Sequence, residues 1–147
     1  MPLTPYSALC EVRDAIGFRV VCRFIDDIYK NISRIKNLPG ITVVKEKDYI
    51  LDVKSNGYRS YHMILSVEAP YEDVRGDNPG HFFVEIQLRT IAMDSWASLE
   101  HEMKYKHHIR NAPLIEQELK RCADELASCD ISMQTIRKHI REEGGTE

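Results

Sequence analysis

Apolar and polar residues alternate cleanly from Gly17 onward: Phe18, Val20, Cys22 and Phe24 fall on one face, and Arg19, Val21 and Arg23 on the other. That period of two predicts a strand. A second alternating run sets Phe82, Val84, Ile86 and Leu88 against Phe83, Glu85, Gln87 and Arg89. Two further strands are expected, from Ile41 to about Tyr49 and from Arg59 to Val67, with a turn over Asp52 to Gly57 between them. Between Asp26 and Pro39-Gly40 the period lengthens, because Ile28, Ile32 and Ile35 recur at helical spacing. Thr4-Pro5 reads as the N-cap and first position of a short helix ending near Arg13. Pro70 to Gly80 holds two prolines and two glycines, which marks a surface loop. A helix follows from about Ile91 to Tyr105, and Pro113 opens a last one reaching about Arg141.

The resulting order, α-β-α-β-β-β-α-α, predicts an α+β fold. We expect a mixed sheet of about four to five strands flanked by helices, with a long C-terminal helix. Along that helix Leu119, Cys122, Leu126, Cys129, Met133, Ile136 and Ile140 alternate spacings of three and four, an a/d seam. Such a seam packs either on the protein's own sheet or on another subunit. Its strictness on a terminal helix favours the subunit contact, hence a homo-oligomer, dimer or tetramer. Residues 1–112 are read as the core and 113–147 as the oligomerisation helix.

Length and composition narrow the classes. The chain has 147 residues, 43% hydrophobic and 29% charged, which is one ordinary globular domain. Its net charge of -3 gives no whole-chain attraction to DNA or RNA, so a polyanionic ligand has to be held by local cations. Cys10, Cys22, Cys122 and Cys129 form no C-x-x-C pair and match no zinc spacing, so they read as buried thiols of a reducing cytosol. No apolar run approaches the roughly 18 residues of a membrane span. The segment MPLTPYSALCEV has neither basic n-region nor long apolar h-region. A cytoplasmic protein with no membrane partner is expected.

Several strands carry a polar face where a covering layer would ordinarily make it apolar. Arg19 and Arg23, then Tyr58, Ser60 and His62, then Glu85, Gln87 and Arg89 line up in this way, and Lys45, Lys47 and Lys54 add charge. Singly, each lysine reads as solvated; together with Arg19 they form a phosphate clamp. Glu85 lies mid-strand among apolar neighbours, as an edge residue, an ion-pair partner or a Mg²⁺ ligand completed by substrate phosphates. Asp14 is either a turn aspartate or a second ligand. Tyr58 follows the Asn56-Gly57 turn signal and serves for packing or for stacking on a base, which contributes about 1–3 kcal/mol.

Four stretches taken in order carry a resemblance: Asp14-Ala-Ile-Gly-Phe-Arg19, Lys45-Glu-Lys-Asp-Tyr-Ile50, Lys54-Ser-Asn-Gly-Tyr-Arg-Ser-Tyr-His62 and Glu85-Ile-Gln-Leu-Arg-Thr90. Trp96-Ala97, Glu100-His101 and Tyr105-Lys106 continue it, over about residues 10–106 in all. The combination resembles the RelA/SpoT-type alarmone synthetases, most nearly the small alarmone synthetases. The resemblance implies a nucleotidyltransferase-like synthetase fold. It also implies transfer of pyrophosphate from ATP to the 3′-hydroxyl of GDP or GTP. By the same resemblance Asp14 and Glu85 are catalytic and hold Mg²⁺, with Glu85 helping to deprotonate the attacking hydroxyl. Tyr58 stacks on guanine, while Lys54, Asn56, His62, Gln87, Asp94 and Ala97 complete the acceptor site. Arg19, Lys45 and Lys47 face the ATP donor. At the Asp94 position family members more often carry Asn or His.

Family members carry a basic R-x-K segment upstream of the Asp14 position, whereas the thirteen residues before Asp14 here hold no lysine and one arginine, Arg13. The core is therefore read as lacking the donor-binding segment. That departure keeps a second expectation open, a non-catalytic module binding guanine nucleotides or alarmones. A third, an RNA-binding or subunit-interaction domain, has the acidic net charge against it.

Overall fold

The computed structural model describes residues 16–105 and 110–144; the expected first helix and Asp14 lie outside them. The described elements are β1 (Gly17–Cys22), α1 (Ile25–Lys36), β2 (Ile41–Asp48), β3 (Tyr61–Ala69), β4 (Gly80–Thr90), α2 (Ile91–Tyr105) and α3 (Ala112–Gly144). The strands form one sheet in the order β1-β4-β3-β2. β1 runs parallel to β4, and the other pairs are antiparallel. This is the mixed α+β sheet with a long C-terminal helix that the patterning predicts, with four strands among the described residues.

β3 and β4 run on into the expected Pro70–Gly80 loop boundaries, to Ala69 and from Gly80, and two strand ends fall short of expectation. β1 stops at Cys22 because Phe24 turns into the N-cap of α1, with Asp27 N–H bonded back to its carbonyl. Its ring is covered by the Arg137 guanidinium, 3.8 Å from the centroid. Arg23 thus leaves the strand and lines a separate groove with Lys30, Arg34 and Arg137. β3 begins at Tyr61 rather than Arg59, because the preceding backbone is spent on turn bonds between Lys54 and Gly57 and between Lys54 and Tyr58.

The core lies between the sheet and α1. Ile28 and Ile32 of α1 meet Cys22, Tyr61, Met63, Leu65 and Leu88, with Met93 of α2 closing one end. Burying each of the larger side chains stabilises by about 1.5–3 kcal/mol. The Tyr29 hydroxyl donates to Asp48 at 2.8 Å and the Tyr61 hydroxyl to Glu46, which also bridges to Lys36 at 2.9 Å. Burial first, and then these carboxylates, push both phenols well above the usual tyrosine range.

A β-bulge at Val44 makes this arrangement possible. Val43 pairs with Leu65, but Lys45 pairs with Ile64, so Val44 is the extra residue. Side chains alternate with period two, so one inserted residue exchanges the faces beyond it. Glu46 and Asp48 consequently reach the tyrosine hydroxyls beside α1, and Lys45 and Lys47 take the opposite face.

Helix α3 is fastened along its length. Its Leu119 carbonyl accepts from Trp96 Nε1 at 2.8 Å, Asp124 pairs with Arg59 at 3.0 Å, and Arg137 pairs with Asp27 at 2.9 Å. The Thr90 hydroxyl donates to buried Asp130 and accepts from Met93 N–H, capping α2. Burial raises the Asp130 carboxyl, and the Thr90 bond opposes that rise. Gly57 (φ 96°) runs so close to this helix that an added Cβ would lie 2.8 Å from that of Ala123, so the turn needs glycine for both space and conformation.

The a/d seam divides. Leu119, Cys122 and Leu126 are half-buried against the fold, while Met133, Ile136 and Ile140 are 51%, 52% and 63% exposed. The thiols divide as well. Cys22 is buried as expected, but Cys122 is half-buried and Cys129 exposed, because Cys129 falls on the open side of the helix. No helix among the described residues is long and apolar enough to cross a membrane.

Candidate functional site

The sheet face opposite α1 collects the polar strand positions into rows. Lys47 pairs with His62, His62 with Gln87 and Gln87 with Arg19, one row across all four strands. The next row runs Lys45, Ile64, Glu85 and Gly17. Glu85 lines two clefts. One, of about 300 Å³, is formed with Gly17, Phe18, Arg19 and Gln87. The other, of about 180 Å³, is formed with Lys45, Lys47, Tyr49, His62 and Ile64. The glycine opposite Glu85, Gly17, leaves open space, with nothing among the described residues within 4 Å of a notional Cβ. Arg19 and the two lysines, grouped by the resemblance, therefore stand on different clefts that meet at one carboxylate.

Tyr58 emerges from an Asx turn in which Asn56 Oδ1 accepts its N–H at 3.0 Å. Its ring makes edge contacts with Tyr49 and His62, at centroid distances of 6.1 and 5.7 Å. Lys54 Nζ lies 4.7 Å from the Tyr49 centroid and 5.2 Å from that of Tyr58. This aromatic wall with cations beside it suits a planar ring carrying phosphates.

Hydrogen bonds tie the polar residues together. Glu85 Oε1 accepts from Gln87 Nε2 at 3.2 Å and lies 3.7 Å from His62 Nδ1. Arg89 is only 5% exposed. It donates to Ser60 Oγ, Gln87 Oε1 and the Tyr58 hydroxyl, and pairs with Asp94 at 3.3 Å. The same Asp94 oxygen also faces Arg19 at 3.4 Å. Ala97 lies one turn further along α2, half-buried. Burial lowers the His62 imidazole pKa; the Glu85 carboxylate pulls it upward, and Arg89, Lys54 and Lys47 add to the lowering. Neutral His62 therefore predominates near neutral pH.

Contacts and shared clefts thus link Glu85, Gln87, His62, Tyr58, Lys54, Asn56, Lys45, Lys47, Arg19 and Asp94; Ala97 is joined to them only by its place on α2, and Asp14 lies outside the described residues. Tyr49 and Arg89 were not singled out for roles. Arg89 carried a signal, as a third polar position on the Glu85 face, and Tyr49 lay within the matched block 45–50. Among the described residues no three His, Cys, Asp or Glu side chains gather around one point. A hard cation here would rest on Glu85 and on phosphate oxygens from a ligand, which fits Mg²⁺.

Cations, aromatic rings and a shared carboxylate thus gather on one sheet face. The chain belongs to the RelA/SpoT family: residues 4–110 match the region found in RelA / SpoT proteins. It is similar to the GTP pyrophosphokinase YjbM of Bacillus subtilis, 35% identical over 138 residues, covering 94% of this chain and 64% of the relative. It is also similar to YwaC of the same organism, 38% identical over 130 residues, covering 88% and 60% respectively. The small alarmone synthetase 1 of Bacillus subtilis, solved bound to its product pppGpp, superposes with a TM-score of 0.77 at 34% identity, covering 89% of this chain and 65% of that one. A GTP pyrophosphokinase family protein from Streptococcus pneumoniae gives 0.77 at 31% identity, covering 90% and 68%. The chain spans 64% and 60% of the two curated relatives' lengths.

Proposed function

We propose that this chain carries the site of a guanosine-nucleotide 3′-pyrophosphokinase, making ppGpp or pppGpp. The observation that carries the reading is Glu85 standing where two cation-lined clefts meet. In the reaction the 3′-oxygen of GDP or GTP bonds to the β-phosphorus of ATP. The bond from that phosphorus to the α-phosphate oxygen breaks, AMP leaves, and Glu85 takes the hydroxyl proton. Such transfers depend on in-line positioning and charge neutralisation more than on covalent help from the protein.

Tyr58 stacks on the guanine. Lys54, Asn56 and His62 hold the acceptor, and Gln87, Asp94 and Ala97 shape its pocket. Arg19 faces ATP, and Lys45 and Lys47 neutralise the phosphates gathered beside Glu85. Glu85 and Asp14 would hold Mg²⁺, which when bound would further neutralise phosphate charge. The reaction belongs to the cytoplasm, where ATP and GTP are made available.

Incubation with ATP, Mg²⁺ and GDP or GTP is expected to release AMP and alarmone in equal amounts. GDP or GTP binding by calorimetry with no AMP release assigns a non-catalytic binding module instead.

The open stretch Met133, Ile136 and Ile140 is the proposed subunit contact, since an apolar stripe on a helix is stabilised by covering it. Light scattering is expected to report a dimer or tetramer that Ile136→Glu converts to monomer. A wild-type monomer throughout the micromolar range rejects the contact.

A further inference from the structure

Arg89 is buried on β4, and none of the assigned roles uses it. A guanidinium has donors and no acceptor, which fixes the direction of every hydrogen bond it joins. Its Nη2 donates to the Tyr58 hydroxyl at 2.6 Å and to Gln87 Oε1 at 2.9 Å.

Each of these bonds begins a chain. The Tyr58 oxygen accepts from Arg89, which frees the phenol's single proton to be donated to His62 Nε2, 2.8 Å away. Nε2 then accepts, and a neutral His62 keeps its proton on Nδ1, which faces Glu85 Oε1 at 3.7 Å. On the other arm the Gln87 carbonyl is held by Arg89, so the amide nitrogen donates to Glu85 Oε1 at 3.2 Å. Both arms end on the same oxygen. Among the described residues Glu85 Oε2 has no hydrogen-bond partner.

We propose that Arg89 is a positioning residue that sets the hydrogen-bond polarity of the site, holding His62 as its Nδ1–H tautomer and Glu85 with one oxygen engaged and the other open. The consequence for the reaction rests on the pyrophosphokinase reading: Oε2 is the oxygen left to meet the hydroxyl or the cation. The tautomer itself does not depend on that reading. It is a property of the chain without nucleotide.

The test is two-bond ¹H–¹⁵N correlation on ¹⁵N-histidine-labelled full chain, above the pH at which His62 titrates, with its signals identified by their loss in His62→Gln. The expected wild-type state is protonated Nδ1 and bare Nε2. Tyr58→Phe keeps the ring and removes the proton aimed at Nε2, and Arg89→Gln removes the fork. In each the uniform Nδ1–H signature is expected to be lost toward Nε2–H. Should Arg89→Gln fail to fold, Tyr58→Phe carries the test alone. Nε2–H in the wild type, or an unchanged Nδ1–H signal in either folded variant, overturns the proposal. An inactive chain that still shows these shifts would sink the enzymatic reading and leave the positioning role standing.

Discussion

Glu85→Gln is expected to lower AMP release by roughly a thousandfold, near the middle of the range contributed by a general base. That loss is about 4 kcal/mol of transition-state stabilisation. The substitution is nearly isosteric. Its carbonyl oxygen can still accept from Gln87 and face His62, as Glu85 Oε1 does. The amide nitrogen then takes the place of Oε2, where it neither accepts a proton nor binds a cation. The clefts keep their shape, so urea unfolding should move by less than about 0.5 kcal/mol. Turnover equal to wild type would remove Glu85 from the chemistry.

Deleting Val44 is expected to be the most damaging single change to the fold. Without the bulge, Lys45 and Lys47 rotate toward α1 and Glu46 and Asp48 rotate away. The Tyr29 and Tyr61 hydroxyls then lose their acceptors. Two part-buried hydroxyls without their acceptors, each toward the lower end of about 1–3 kcal/mol, cost about 2–4 kcal/mol. The second cleft loses both lysines in the same step, so nucleotide affinity should fall with stability. Val44→Ala keeps the residue count and alters a partly exposed side chain, so it should sit within about 0.5 kcal/mol of wild type. Urea titration and calorimetry on both variants decide the matter; a deletion variant with wild-type stability and binding would show that the bulge does not set the faces.

That bulge also marks how far the sequence is legible. Alternation exposes the polar face of β4, because Glu85, Gln87 and Arg89 fall two residues apart in a run otherwise apolar. Together with the helical period of Ile28, Ile32 and Ile35 it finds the succession of elements along the chain, but not the order of the strands in the sheet. For β2 alternation is insufficient. Lys45 and Lys47 share a face under any reading, but the face depends on a pairing shift that only the partner strand reveals. Arg23 failed for a related reason: alternation extended a strand through Phe24, where tertiary contact with Arg137 had made a helix cap. The α3 seam was read as one surface, yet Leu119 to Leu126 pack at home and only the later positions stay open. Arg89 was visible as a polar residue, but its role lies in the direction of hydrogen bonds, and a sequence carries no directions.

One oxygen of Asp94 sits within 3.4 Å of Arg19, which lines one cleft beside Glu85, and 3.3 Å of Arg89, which holds the Tyr58 hydroxyl. A ligand phosphate that draws Arg19 away leaves that carboxylate wholly to Arg89. Occupancy on one side is then expected to be felt on the other through a single shared counter-ion. Such linkage is reciprocal: whatever factor the first ligand applies to the second's affinity, the second returns. Asp94→Asn keeps the shape and weakens both pairs, so it uncouples the two binding equilibria rather than abolishing either.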